Sequence, residues 1–140
     1  MNLTGHILIV DDEAHVRLFL SLIVRSLGTI EIHGAPNGLD ALAAYRALPC
    51  APLLILLDVN MPGIDGIETL RLLRAAGATC PIVMLTSLAT RQRVEEAIVA
   101  GADHYIRKDT PRDQILAQLK NVLEDAAEPA PAPAPAPERT

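Results

Sequence analysis

Apolar and polar positions alternate in blocks along this chain, and the spacing switches repeatedly between short runs and a helical period. Residues 6–10, HILIV, form a short apolar run and predict a first strand. From Ala14 to Leu27, Val16, Phe19, Leu20, Ile23, Val24 and Leu27 fall at helical spacing, and Gly28 is expected to end that helix in a left-handed conformation. TIEIHG alternates and predicts a second strand; residues 37–48 predict a helix capped by Asn37. LLILL, at 53–57, runs without a polar break, as a strand covered on both faces does. Residues 64–76 predict a third helix closed by Gly77, and PIVML a fourth strand with Pro81 at its first position. Residues 90–100 predict a helix ended by Gly101, HYIR a short fifth strand, and 111–125 a last helix with Thr110 as N-cap and Pro111 at N1. Five strands alternating with five helices imply an α/β fold, a doubly wound five-stranded parallel sheet with right-handed crossovers.

The chain has 140 residues, which suits one domain, and half are apolar with only three aromatics. A core of Leu, Ile, Val and Ala matches helices packed on a sheet. The formal charge of −5 argues against a nucleic-acid surface. No apolar stretch is long enough to span a membrane, and the first residues lack the features of a signal peptide. Cys50 and Cys80 are not in a C-x-x-C pair and are expected to be reduced thiols in a cytoplasmic protein. From Glu128 the chain reads EPAPAPAPAPERT. Proline denies this stretch helix and sheet, so polyproline II is expected. The expected division is a domain over 1–126 and an Ala-Pro-rich disordered tail over 127–140, either a solvated end or a tether.

Ligands of such sheets bind beyond the carboxyl ends of the strands. The first polar residues after the apolar runs are Asp11 and Asp12, Asp58, Thr86 and Ser87, and Lys108. One alone would be an ordinary cap or turn residue. Together they predict a cleft on one rim. Three carboxylates in one cleft repel, and a hard divalent cation lets them stay ionised; oxygen ligands favour Mg²⁺. One carboxylate, best Asp58 on the central strand, could then attack phosphorus, with metal, ammonium and hydroxyl groups stabilising the transition state.

These residues carry a family resemblance. The acidic pair in LIVDDE, the acid in LLDVNMPGIDG, the hydroxyl in VMLTS, and the aromatic and lysine in GADHYIRK resemble the receiver domain of two-component response regulators, over residues 5 to about 125. The resemblance implies a flavodoxin-like sheet of strand order 2-1-3-4-5 and a single-domain response regulator. It implies that Asp58 takes a phosphoryl group from a phosphohistidine on a histidine kinase or histidine phosphotransfer protein. Asp12 and Asp58 would bind Mg²⁺ directly, Asp11 mostly through water, and Asn60 through its backbone carbonyl. Lys108 would pair with the phosphate and Thr86 would hydrogen-bond it after moving inward. Tyr105 would follow from an exposed to a buried rotamer. The surface of helix four, strand five and helix five would change for a downstream protein target. Such a domain catalyses its own phosphorylation and slow dephosphorylation but is chiefly a regulatory binding module. Asn60 and Leu88, two residues beyond the acceptor and the switch hydroxyl, would flank the phosphate and set its lifetime.

One departure is visible. Lys108 is followed by Asp109 where the family usually has proline. A trans bond is therefore expected, with Asp109 adding negative charge near the lysine. Two other functions compete. A haloacid dehalogenase-like phosphotransferase would carry D-x-D at its nucleophile; here the third position is Asn60. A receiver-like adaptor acting without phosphorylation would tend to lose acids or the lysine; here all are present. The histidines are assigned no role: His6 and His33 fall in the first two strands, His104 beside the aromatic, and His15 near the acidic pair. The charges of TRQRVEEAIVAG are expected to form a solvated face that can also meet partners.

Overall fold

The computed structural model describes residues 2–87 and 90–127. The elements run β1 (Leu3–Val10), α1 (Ala14–Arg25), β2 (Gly28–Ala35), α2 (Gly38–Ala47), β3 (Leu54–Asp58), α3 (Gly66–Ala75), β4 (Ile82–Thr86), α4 (Arg91–Ala100), β5 (His104–Arg107) and α5 (Arg112–Ala127). All four strand pairs are parallel, in the order β2-β1-β3-β4-β5. This is the flavodoxin-like α/β architecture. No described helix is long and apolar enough to cross a membrane.

Side-chain alternation along β1 divides the core in two. Ile7 and Ile9 face α1 and α5, packing with Leu20, Ile23, Ile115 and Leu119. Leu8 and Val10 face the other way, toward Ala41 of α2, Leu70 of α3 and Ala97 of α4. Central strands are covered on both sides, so every residue of β3 and β4 is buried. Edge strand β2 is only half-covered and keeps its alternation.

Both central strands run one residue further than their apolar runs, so Asp58 and Thr86 are the last residues of β3 and β4. A polar side chain is tolerated there because the strand end opens onto the rim. Asn37 caps α2 through its side chain, which accepts from the Asp40 amide at 2.8 Å. Gly101 takes the expected left-handed conformation after α4 (φ 112°).

Two residues expected to mark helix ends do not. Gly28 does not terminate α1; Ser26 is the C-cap and Gly28 already pairs with Leu3 as the first residue of β2. A Cβ at Gly28 would lie 2.0 Å from the Leu3 carbonyl oxygen, so close strand approach explains this glycine. Likewise Thr110 does not cap α5. The carbonyl of Pro111 accepts from the Gln114 and Ile115 amides, which makes Pro111 the first carbonyl of the helix. Lys108, Asp109 and Thr110 are used up in a turn closed by the Thr110 amide on the Arg107 carbonyl, 3.1 Å. α3 begins at Gly66, with Asp65 as N-cap accepting from the Glu68 amide at 2.9 Å. α5 includes Ala127, and the Ala-Pro segment expected beyond it lies outside the described residues.

Candidate functional site

Asp11 follows the last residue of β1 and its amide still bonds to the Ala35 carbonyl of β2, at 3.1 Å. That bond holds the chain extended just past the strand and turns the side chain into the rim. Asp11 is 1% exposed. Its Oδ1 accepts from the Glu13 amide at 2.9 Å, and Arg17 donates to its backbone carbonyl. Its Oδ2 is buried and lies 2.7 Å from Lys108 Nζ. Asp58, 2% exposed, closes β3. Its Oδ1 accepts from the Asn60 amide at 3.3 Å and stands 3.2 Å from the same ammonium. Lys108 thus bridges the two buried carboxylates.

Backbone geometry aims this lysine. The Lys108 amide donates to the carbonyl of Thr86 at 2.7 Å, extending the β4–β5 ladder one residue beyond β5. Its bond to Asp109 is trans, as is every peptide bond of the described residues. Asp109 does not compete for the ammonium. Its carboxylate takes two hydrogen bonds from Arg107, at 3.1 and 3.0 Å.

The pocket holds more negative than positive charge. Burial, then the nearby Asp11 charge, push Asp58 up to a pKa of about 6; Lys108 and the Asn60 amide oppose them. Burial pulls Lys108 down, but hydrogen bonding and charge from Asp11 and Asp58 outweigh it and hold the ammonium above its ordinary value. Asp12 and Asn60 are exposed at the mouth. Carboxylate oxygens of Asp11, Asp12 and Glu13 lie within 4.8 Å of one another. Hard oxygen donors at this spacing, with a buried Asp11 oxygen held only by an ionic contact, fit a Mg²⁺ ion. The expected set was Asp11, Asp12, Asp58 and Asn60. The structure groups Asp11 and Asp12 with their neighbour Glu13, the end of the unbroken acidic run after Val10, and connects Asp58 to Asp11 through Lys108.

Thr86 is fully buried at the end of β4. Tyr105 on β5 is half-buried against the core with its hydroxyl already buried, so the structure does not hold the expected exposed rotamer. Burial pushes its phenol above the usual value, while Thr86 and Arg93 oppose. Arg93 was read as part of a solvated face on α4. Instead it bonds to Asp65, the cap of α3, at 3.1 Å and to Glu96 at 2.9 Å. Burial raises Asp65, but the hydrogen bond from the Glu68 amide, and after it the Arg93 pair, hold its carboxyl below the ordinary value. Long-range pairing between α4 and the loop before α3 has no local sequence signal. Leu88 lies outside the described residues.

The family described as response regulator receiver domain matches residues 7–120. The transcriptional regulatory protein ResD of Bacillus subtilis is 38% identical over 122 residues, covering 87% of this chain and 49% of that protein. The chain spans 17 to 55% of the length of the first curated relatives it matches. Among solved structures, the BeF₃-activated DrrB receiver domain superposes with a TM-score of 0.75 at 27% identity, covering 87% of this chain and 99% of that one. A chain of the Borrelia burgdorferi CheX–CheY–BeF₃–Mg²⁺ complex gives 0.75 at 27% identity, covering 84% and 88%. With the rim of buried acids and bridging lysine on a 2-1-3-4-5 sheet, and a family match over most of its length, this chain belongs to the receiver domains of two-component response regulators.

Proposed function

We propose that the chain is a phosphorylation-controlled signalling module and that Asp58 accepts the phosphoryl group. The observation that carries this reading is Lys108 Nζ poised between buried Asp11 and Asp58 at the end of the central strand. Receiver domains bind Mg²⁺ in this acidic pocket and partner with histidine kinases and downstream targets. The donor would be a phosphohistidine on such a kinase or on a phosphotransfer protein, and the setting cytoplasmic.

A carboxylate oxygen of Asp58 attacks phosphorus. The new O–P bond forms as the P–N bond breaks, and the imidazole leaves with the electron pair. When bound, Mg²⁺ neutralises phosphoryl charge as it develops. Asp12, Asp58 and the Asn60 carbonyl would hold it, with Asp11 acting through water. Lys108 exchanges one carboxylate contact for a phosphoryl oxygen. Thr86 supplies a hydroxyl to another oxygen, and Tyr105 follows it further into the core. The added charge and acceptor oxygens are satisfied in one arrangement of these groups, so phosphorylation favours that arrangement. The altered surface, formed by α4, β5 and α5, meets the target.

The test is phosphotransfer from a phosphohistidine donor in Mg²⁺, followed by peptide mass spectrometry. Label on Asp58, lost in Asp58→Asn and when the metal is chelated, is the expected result. Label on another residue of the wild type, or none from any donor in a kinase panel, would sink the reading.

A further inference from the structure

Two histidines that the sequence leaves 27 positions apart meet along the β1–β2 edge of the sheet. His6 on β1 stands opposite Glu31 on β2, and His33 is two residues further along β2. A period of two puts all three side chains on one face. His6 Nδ1 lies 2.9 Å from His33 Nε2, and 3.7 Å from Glu31 Oε1. One ligand atom from each falls within a sphere of 4.8 Å. The His6 side chain is 15% exposed and Glu31 70%. The imidazole is therefore held by its surroundings while the carboxylate is free to swing.

We propose that His6, His33 and Glu31 form a binding site for a divalent first-row transition metal, separate from the acidic pocket. Two imidazoles and one carboxylate are the donor set that suits such ions, whereas Mg²⁺ is served by oxygen alone. The spacing points to the geometry. A metal about 2.0–2.1 Å from each of two nitrogens 2.9 Å apart subtends an angle of about 90° at the metal. That angle suits an octahedral or tetragonal site with three ligands on one face; a ring rotation that parts the nitrogens by about 0.4 Å also admits tetrahedral coordination. The eight-residue β1–β2 register brings both imidazoles within reach of one ion, which would replace their mutual hydrogen bond. Glu31 completes the third corner by moving inward, leaving the remaining positions to water. The site is five residues before Asp11 along β1, about 16 Å at strand spacing. The bound ion would tie edge strand β2 to β1.

The test is calorimetric titration of the tag-free 140-residue chain with Ni²⁺ in excess Mg²⁺, alongside thermal unfolding with and without Ni²⁺. One equivalent should bind and the unfolding midpoint should rise. His33→Gln, on the half-exposed edge strand, should lose tenfold or more in affinity and also the rise in midpoint, as should His6→Gln if it folds. Glu31→Gln should weaken binding without abolishing it. Asp12→Asn and Cys50→Ser should bind Ni²⁺ as the wild type does. The inference is overturned if the wild type takes up no Ni²⁺, leaving the imidazoles only a hydrogen-bonded clamp. Unchanged binding in His33→Gln, or loss of binding in Asp12→Asn or Cys50→Ser, overturns it equally.

Discussion

Asp58 is an acid kept where ionisation is opposed. Its pKa rises from 3.8 to about 6 because it is buried beside Asp11. Between those values the folded protein binds the proton more tightly than the unfolded chain. Stability of the metal-free protein therefore falls as pH rises through this window, by at most about 3 kcal/mol. Asp58→Asn removes the charge and keeps the shape. In chelator at pH 8 it should be more stable than wild type by about 1–3 kcal/mol, with the gap closing toward pH 4. Urea melts at the two pH values measure this; a variant less stable at pH 8 would show that the Lys108 pair outweighs the burial. Removing Lys108 should act the other way from removing the Asp58 charge. Lys108→Ala leaves two buried carboxylates facing each other and should cost about 2–4 kcal/mol in chelator, near the range for breaking a buried pair. Saturating Mg²⁺ should restore part of that loss. A neutral effect in chelator would mean that water screens the acids. The same substitution should also uncouple phosphorylation from the conformational change.

Elements supply the positions that these side chains occupy. β3 and β4 end on their functional residues, and the first turn of α3 is pressed against the end of β3. The Gly66 amide donates to the Val59 carbonyl at 2.7 Å, and a Cβ on Gly66 would fall 2.0 Å from the Asp58 carbonyl oxygen. Gly66→Ala must therefore push α3 away from the acceptor. A loss of about 2–4 kcal/mol is expected, in the range of overpacked or strained sites, together with slower phosphorylation of Asp58. Thermal melts and phosphotransfer rates check it, and an alanine variant with wild-type values would show that the loop yields freely. Arg93 ties α4 to the cap of α3 in the same region. A residue read as solvated thus anchors α4, part of the proposed output surface, to the loop before α3.

At the scale of the molecule, cutting the chain after Ala127 should leave stability within about 1 kcal/mol of the full chain, because the removed Ala-Pro segment carries few side chains able to build a core. Denaturant melts of the two forms decide; a larger loss would mean that the segment packs on the domain. Much of the fold was legible in the sequence because its signals are local. Run length marked the doubly covered strands, helical spacing marked α1, and Asn37 and Gly101 punctuated helices by their own conformational chemistry. The rim residues Asp11, Asp12, Asp58, Thr86 and Lys108 could be found because a parallel sheet places strand ends on one side, so position in sequence maps onto position in space. Tertiary structure decided what depends on register and on distances between strands. It made Gly28 a strand residue by pressing it onto Leu3, moved the start of α5 past Pro111 by spending three residues on a turn, and drew Asp109 to Arg107. It also brought Arg93 to Asp65 and His6 to His33. These pairings join residues about thirty positions apart or depend on the path of a turn, and no periodicity within either segment encodes them.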